Sequence, residues 1–114
     1  MAASKSVLNV VLAPIAIDEL AAIWQWNAEH YSPGQADRYV GFLKGVINRL
    51  GDCYQQGKAI EVRPDLRYLL VRRRSKGHGH VIVYRFDDSS VYVLHVFHTA
   101  QNWQAQLGSD QPGS

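Results

Sequence analysis

The chain lacks the residues and runs that would place it among secreted, membrane or disordered proteins. Its 114 residues include a single cysteine, Cys53, which excludes an internal disulfide and favours a cytoplasmic setting. No apolar run reaches the length of a transmembrane span, and the first six residues show no signal-peptide pattern. Hydrophobic residues make up 46% and charged residues 19%, which is ordinary for a folded protein. We therefore expect one domain over residues 1–107 and a disordered polar tail over residues 108–114.

Signatures of metal and cofactor chemistry are also missing. The histidines form two close pairs, but no cysteine or carboxylate completes a metal-ligand pattern with them: His78 and His80, His95 and His98. The short Gly77-His78-Gly79 run lies between two strand patterns and is typical of a turn, since a phosphate-binding loop needs more residues. The sequence therefore predicts neither a metal nor a cofactor.

Positive charge is concentrated in one stretch of the chain, although the net charge is only +2. Between residues 63 and 85 only Asp65 opposes the basic residues Arg63, Arg67, Arg72, Arg73, Arg74, Lys76 and Arg85. Such a surface can bind nucleic acid or the acidic surface of a protein partner. It can equally be a solvated sheet edge whose charges resist aggregation.

The first half of the chain predicts two helices joined by a tight connection. Residues 14–30 begin with proline and repeat apolar side chains at helical spacing. Ser32 is a good N-cap for a second helix that starts at the following proline and runs over residues 33–50. Gly41 and Gly45 inside this helix suggest a close helix–helix approach, because each costs about 1 kcal/mol relative to alanine.

The second half predicts a β-meander. Three runs rich in Val, Tyr, Phe and Leu lie over residues 67–74, 80–86 and 91–98, separated by Gly-rich or Asp/Ser-rich breaks. Pro64 is expected to bar an earlier start of the first run. The apolar run over residues 7–12 predicts a further strand with both faces mostly covered, in an inner or well-covered position in the sheet.

The segment after the last strand predicts one or two turns of helix. Thr99 would be the N-cap, and Trp103 and Leu107 would lie on one side. The predicted order is β-α-α-β-β-β. This is an α+β fold in which a small, mostly antiparallel sheet packs under an N-terminal helical hairpin, followed by a short C-terminal helix or tail.

One group of residues would allow chemistry if the fold brought it together. Histidine can move a proton and arginine can stabilise a phosphorane, so His98, Arg85 and the basic stretch over residues 72–76 could support metal-free RNA cleavage. The favoured alternative is a structural histidine and scattered surface arginines.

The order and spacing of several short motifs resemble the RelE/ParE superfamily of bacterial toxins from toxin–antitoxin pairs. The resemblance covers about residues 8–103, and its motifs are Ala16-x-x-Glu19-Leu20-x-x-Ile23-x-x-Trp26, Ala36-x-x-Tyr39, Ile47-x-x-Leu50, Glu61 to Arg67, Gly79 to Arg85 and Val93 to His98. The superfamily's fold is the same β-α-α-β-β-β arrangement.

Departures from the ribosome-dependent RNases of this superfamily favour its ParE-like branch. Val81 stands where those RNases usually carry a basic residue, and no tyrosine follows His98. The ending Ala100-Gln-Asn-Trp103 is similar to that of ParE-like chains. The resemblance implies a cytoplasmic toxin that binds DNA gyrase and causes growth arrest, and that a cognate ParD-like antitoxin neutralises in a higher-order complex. Direct nucleic-acid binding would be secondary.

Two hypotheses follow from the resemblance. In the first, the protein is a non-enzymatic gyrase inhibitor whose target-binding residues are Arg72, Arg73, Arg74, Lys76 and Trp103. In the second, it is a RelE-like ribosome-dependent mRNA endonuclease that uses His98 as acid or base and Arg85 with Arg73 as phosphate stabilisers. Because one fold carries both activities, the fold alone does not choose between them.

Overall fold

The structure is a computed structural model that describes residues 7–72 and 79–109. Its elements in chain order are β1 (Asn9–Leu12), α1 (Pro14–His30), α2 (Pro33–Cys53), β2 (Lys58–Ile60), β3 (Arg63–Val71), β4 (His80–Phe86), β5 (Ser90–His98) and α3 (Trp103–Ser109). The strands form one sheet in the order β1-β5-β4-β3-β2. β1 runs parallel to β5, and the other neighbours are antiparallel. The predicted α+β fold is confirmed.

The prediction of an inner or well-covered β1 is wrong. β1 is the edge strand beside β5, and its side chains are alternately exposed and half-buried. Val10 and Leu12 pack on the helix side of the sheet, whereas Val11 is 44% exposed. An apolar run of this length fits a half-covered edge strand as well as a covered inner one, so composition alone did not decide its place.

Pro64 does not bar the sheet, because β3 begins at Arg63 and includes it. An additional strand, β2, pairs with β3, and the register between them shifts from Ala59 opposite Arg67 to Ile60 opposite Arg63. The residues between Arg63 and Arg67 therefore have no partner in that ladder. A proline is tolerated there because its missing N–H is not needed for pairing.

Both helices of the hairpin form where the sequence predicts them, and α2 extends to Cys53. The Ser32 hydroxyl accepts a hydrogen bond from the Gln35 backbone N–H at 3.0 Å, which confirms the N-cap. The two helices are tied together by a 2.9 Å bond from the Trp24 indole N–H to Asp37. No helix in the described part of the chain is long and apolar enough to cross a membrane.

The expected role of the helix glycines is wrong. A Cβ at Gly41 would meet nothing within 4 Å, and one at Gly45 would meet only the Arg49 side chain. Close approach occurs instead at Gly51, where a Cβ would lie 2.5 Å from the Leu8 carbonyl oxygen. The Leu8 backbone N–H also donates to the Gly51 carbonyl at 2.8 Å, so the end of α2 lies directly on the chain entering β1.

The helical hairpin covers one face of the sheet and forms the larger core. Its most deeply buried members come from α1, α2 and the strands beneath them: Ala16, Leu43, Ile47, Leu50, Ile82, Tyr84, Val91 and Val93. The opposite face carries a smaller cluster under α3, formed by Ile60, Leu66, Val81, Val83, Phe97 and Leu107. β4 supplies side chains to both clusters.

The short C-terminal helix exists, but its predicted start is wrong. α3 begins at Trp103, and Thr99 instead accepts a bond from the Gly79 backbone N–H through its hydroxyl at 3.0 Å. The prediction that Trp103 and Leu107 lie on one side is confirmed, because both pack in the smaller cluster. α3 runs to Ser109, two residues beyond the predicted domain end, and residues 110–114 lie outside the described part.

Candidate functional site

A cleft of about 1050 Å³ lies between the helical hairpin and the ends of β4 and β5. One wall is a stripe of α1 at helical spacing, formed by Glu19, Ala22, Ile23, Trp26 and Asn27. The other wall and the rim contain Tyr31, Gln35, Tyr39, His80, Val96 and His98, with Ala100 and Gln101 in the following turn. Side chains far apart in the chain therefore meet here.

Three ring side chains converge inside this cleft. A 2.5 Å hydrogen bond joins the Tyr39 hydroxyl on α2 and Nδ1 of His80 at the start of β4. The His80 ring lies edge-on to the His98 ring, with centroids 5.2 Å apart, because the two residues are directly paired in the β4–β5 ladder. His98 is itself held by the turn after β5, since its Nδ1 accepts from the Ala100 backbone N–H at 3.0 Å.

Burial determines the charge state of His80. Its removal from water, assisted by the nearby His98, lowers its pKa from 6.5 to about 4. His80 is therefore neutral near pH 7, and its hydrogen bond with Tyr39 is made by an uncharged imidazole.

Glu19 fixes α1 to β5 at an irregular point of the sheet. The β4–β5 register shifts between Val83 and Tyr84, so β5 carries an extra residue there. Just beyond it, the Glu19 carboxylate accepts the Val96 backbone N–H at 2.8 Å and lies 3.2 Å from Nδ1 of His95. This carboxylate therefore holds one wall of the cleft against the other.

An exposed aromatic group forms the outer rim where α1 ends. The Trp26 indole stacks on the His30 ring, with centroids 4.0 Å apart, and Tyr31 meets the indole edge-on at 5.8 Å. Trp26 is 50% exposed and Tyr31 is 67% exposed.

Several arginines of the predicted basic surface have structural partners. Arg63 forms a bidentate pair with Asp65, at 3.0 and 3.1 Å, and this hydrogen bonding lowers the pKa of the carboxyl. Arg67 donates to the Gly57 carbonyl at 2.9 Å and lies over the Phe86 ring. These contacts fit a charged sheet surface as well as a binding site.

Of the predicted target-binding residues, Arg72 is described and exposed, whereas Arg73, Arg74 and Lys76 lie outside the described residues, as does His78. Gly79, the first described residue after this stretch, is hydrogen-bonded to Thr99, which follows β5. The Gly79 backbone N–H donates to the Thr99 hydroxyl, and the Thr99 backbone N–H donates to the Gly79 carbonyl, both at 3.0 Å. A side chain at Gly79 would collide with the Val71 carbonyl, so only glycine fits this junction.

Trp103, the remaining predicted target-binding residue, is half-buried. Its ring packs against Tyr68 and Phe97, with centroid distances of 5.1 and 6.5 Å. It therefore has a clear structural role in docking α3 on the sheet, and its exposed part lies on the face opposite the hairpin.

Arg85 and His98, which RNA cleavage would require to lie together, are far apart. In the β4–β5 ladder His98 is opposite His80, whereas Arg85 is opposite Tyr92, five residues further along β4. That separation is about 17 Å at the rise of an antiparallel strand. The two side chains also lie on opposite faces by alternation, and the Arg85 guanidinium stacks on the Tyr92 ring at 4.3 Å. Within the described ranges, no three metal-ligating side chains cluster either.

Sequence reasoning missed the Tyr39–His80 bond and the contacts of Glu19. Tyr39 and His80 are 41 residues apart, and no local pattern links them. Glu19 and Tyr39 did stand in the motifs that carry the resemblance, and that was the one available signal for either residue.

Comparisons with known proteins give a consistent assignment. Among solved structures, the chain is similar to a chain of the chromosomal ParDE toxin–antitoxin system from P. aeruginosa, with a TM-score of 0.68 and 17% sequence identity. The alignment covers 80% of this chain and 95% of that one, and at this identity it shows a shared fold. No curated protein sequence matches. The family model described as the ParE toxin of the type II toxin–antitoxin system, parDE, matches residues 10–103. The resemblance seen in the sequence is thus confirmed, and the chain belongs to the ParE toxin family of type II toxin–antitoxin systems.

Proposed function

We propose that this chain inhibits DNA gyrase and that a cognate, ParD-like antitoxin neutralises it in the cytoplasm. Membership of the ParE toxin family supports a toxin with an antitoxin partner. The β4–β5 register is the observation that favours an inhibitor over an mRNA endonuclease. It separates Arg85 from His98 by the length of β4, so these two residues do not form the pair of phosphate stabiliser and proton-transfer group that the endonuclease hypothesis needs.

The target-binding surface in this proposal is Arg72, Arg73, Arg74 and Lys76, with Trp103. Arg63, Arg67 and Arg85 each have a partner in the sheet, whereas Arg72 is exposed at the end of β3. A cluster of cations next to a rigid sheet suits an acidic protein surface and speeds association with it. Trp103 contributes mainly by fixing α3 in place, because its ring packs against Tyr68 and Phe97.

The antitoxin in this proposal lies along the exposed apolar surface near the helical hairpin and the β1 edge. Val11, Ile15 and Ile17 are large apolar residues with 44 to 55% exposure in this region. The outer edge of β1 can accept an extended segment, and the hairpin can accept a helix. A higher-order toxin–antitoxin complex would then bury these residues.

The test is a plasmid assay with purified protein and DNA gyrase, with and without ATP. We expect lost supercoiling or trapped double-strand cleavage, reversed by the antitoxin. Replacing Arg72, Arg73 and Arg74 together by Gln should raise the concentration for half-inhibition by about tenfold or more, because charged contacts at such surfaces are each worth about 1 kcal/mol or more.

A matched control removes three positive charges elsewhere. Arg38, Lys44 and Arg49 are all exposed on α2, and their joint replacement by Gln should leave inhibition unchanged. Equal inhibition by both triple variants would remove the basic stretch from the target site. If folded protein fails to act on gyrase but cleaves mRNA on ribosomes, and His98→Ala abolishes that cleavage, the endonuclease hypothesis replaces this one.

A further inference from the structure

A smaller cavity lies at the other end of β4 from the cleft, where β3 separates from β4. We propose that this cavity binds a phosphate group between the guanidinium groups of Arg67 and Arg85. All the residues that form the site belong to the described part of the chain, and the site is independent of whether gyrase is the target.

The cavity exists because the β3–β4 ladder stops before β4 does. Arg67 and Tyr84 are the last pair in that ladder, so Arg85 and Phe86 extend beyond the paired part of β3. The space beside them is lined by Ala59, Pro64, Asp65, Arg67, Arg85 and Phe86. Its volume is about 220 Å³. Drug-sized ligands occupy pockets of about 300 Å³ or more, so a single small group fits here instead.

Arg85 offers hydrogen-bond donors that no described residue accepts. Its guanidinium lies over the Tyr92 ring, 4.3 Å from the centroid, and the residue is exposed. Stacking uses the flat face of the guanidinium and leaves the in-plane N–H groups pointing outward. Because the ring also restricts the direction of these donors, less entropy is lost when an anion binds to them.

Arg67 is held in place by the loop before β2. Its Nη1 donates to the Gln55 and Gly57 carbonyls at 3.3 and 2.9 Å, and its guanidinium lies over the Phe86 ring. These hydrogen bonds use one nitrogen of the guanidinium. Its other two nitrogens have no acceptor among the described residues and are available to an anion in the cavity.

The cavity keeps a net positive charge although a carboxylate lines it. Arg63 binds both oxygens of Asp65, at 3.0 and 3.1 Å, so this pair is neutral as a whole. Hydrogen bonding from Arg63 is the main cause of the lowered pKa of Asp65, and the positive charge of Arg85 lowers that pKa further. Arg67 and Arg85 therefore supply the uncompensated charge of the site.

The carboxylate of the turn after β4 is directed away from the cavity. Oδ1 of Asp87 accepts the backbone N–H groups of Ser89 and Ser90 at 2.9 and 3.0 Å. Oδ2 accepts the Tyr92 hydroxyl at 3.3 Å, and Asp87 does not line the cavity. A group that enters the cavity therefore meets two guanidinium groups and a carboxylate that is already paired.

Two guanidinium groups favour a phosphate over a carboxylate. A phosphate monoester has about −1.5 to −2 charge at pH 7 and three strong acceptor oxygens, so both arginines can bind it at once. A carboxylate has one charge and two oxygens, which a single arginine satisfies, as Arg63 and Asp65 do beside the cavity. Free phosphate, a nucleotide and a nucleic-acid backbone share this group, and the test separates them.

The test is an NMR titration of the isotope-labelled full chain with inorganic phosphate, with chloride adjusted to keep the ionic strength constant. We expect saturable shifts of the side-chain Nε–H signals of Arg67 and Arg85, with a dissociation constant of about 1 to 10 mM. Acetate should bind at least about fivefold more weakly at the same signals.

Two further ligands identify the source of the phosphate. Equal affinity for a mononucleotide and for inorganic phosphate would show that the phosphate group alone is recognised, whereas tighter binding of the mononucleotide would indicate a nucleotide site. A short single-stranded oligonucleotide that binds about tenfold more tightly than either, with the same Arg67 and Arg85 shifts, would indicate a nucleic-acid backbone.

Variants locate the site. Arg85→Gln should weaken phosphate binding at least about fivefold, and it should stay folded because Arg85 is exposed and donates to no described residue. Arg38→Gln removes the same charge from an exposed position near the start of α2, beside Tyr39, which contacts the opposite end of β4 through His80. This control should bind phosphate like the original chain.

Three results would overturn the proposal. These are the absence of saturable shifts at Arg67 and Arg85, equal binding of acetate and phosphate, and equal weakening by Arg38→Gln and Arg85→Gln. The last result would show that phosphate responds only to the overall charge of the chain. Because gyrase is absent from the measurement, these outcomes are independent of the gyrase assay.

Discussion

The two faces of the sheet are covered in different ways. The hairpin face is covered by two helices of 17 and 21 residues, and its core contains the largest group of fully buried side chains. The opposite face is covered by α3, a helix of 7 residues held through Trp103 and Leu107. A two-turn helix has little stability of its own, so its position depends almost entirely on these two contacts.

The charges differ between the faces as well. The cleft on the hairpin side is aromatic and has one carboxylate, whereas Arg85 lies on the opposite face and stacks on Tyr92. Stability and a shaped cleft are therefore concentrated on one face, and a thinly covered face that carries Arg85 lies on the other.

The largest expected effect comes from deleting core volume under the hairpin. Leu43 is fully buried, so Leu43→Ala should lower the free energy of unfolding by about 4 kcal/mol, because the packed helices cannot collapse into the cavity. Leu107→Ala, the matched change under α3, should cost about 2 kcal/mol because the short helix can shift or fray. Urea denaturation of both variants measures the difference. Equal losses would mean that α3 is as rigidly packed as the hairpin.

The next effect is a pH dependence at the cleft. The folded state keeps His80 neutral down to a pKa of about 4, whereas the unfolded chain protonates it near 6.5. Stability should therefore fall as the pH is lowered from about 6.5 to about 4, by roughly 3 kcal/mol from this group. The loss is complete below that window.

His80→Phe provides the control for this prediction. The variant lacks the Tyr39 contact, but its unfolding free energy should depend less on pH between 6.5 and 4 than that of the original chain. Asp65 and Asp87 have pKa values held below the usual range by their hydrogen bonds, so they titrate below this window. Identical pH slopes for the two proteins would contradict a buried, neutral His80.

The smallest expected effect on stability comes from Arg85, on the face of the sheet under α3. Arg85→Gln removes one exposed stacking contact with Tyr92 and should cost about 0.5 kcal/mol or less. Growth inhibition should be unchanged at equal protein level, because the register keeps Arg85 away from His98. Loss of toxicity without loss of stability would place Arg85 in the functional site. It would also show that the face under α3 takes part in the function.

Much of the fold could be predicted from the sequence, because its signals are local. Pro14, Ser32 and the proline after it set the starts of both helices, through a fixed backbone angle and a side-chain cap. Runs rich in Val, Tyr and Phe, bounded by turn residues, predicted β4 and β5 closely. The errors arose where pairing partners decide the outcome: the edge position of β1, the short β2, and a strand that accepts Pro64 because a register shift leaves it unpaired.

The candidate site was less predictable than the fold, for the same reason. Residue types suggested His98 and Arg85 as partners, but strand register alone sets which ends of two strands meet, and it paired His98 with His80. The Tyr39–His80 bond and the Glu19 contacts join segments 41 to 77 residues apart, beyond the reach of any local pattern. By itself the sequence determined most of the elements and the family, since capping, runs of strand-forming residues between turns, and motif spacing are local. Only the tertiary structure decided which strands form the edges of the sheet, which side chains line the cleft, and that His80 is neutral there. These properties depend on contacts between distant segments and on burial.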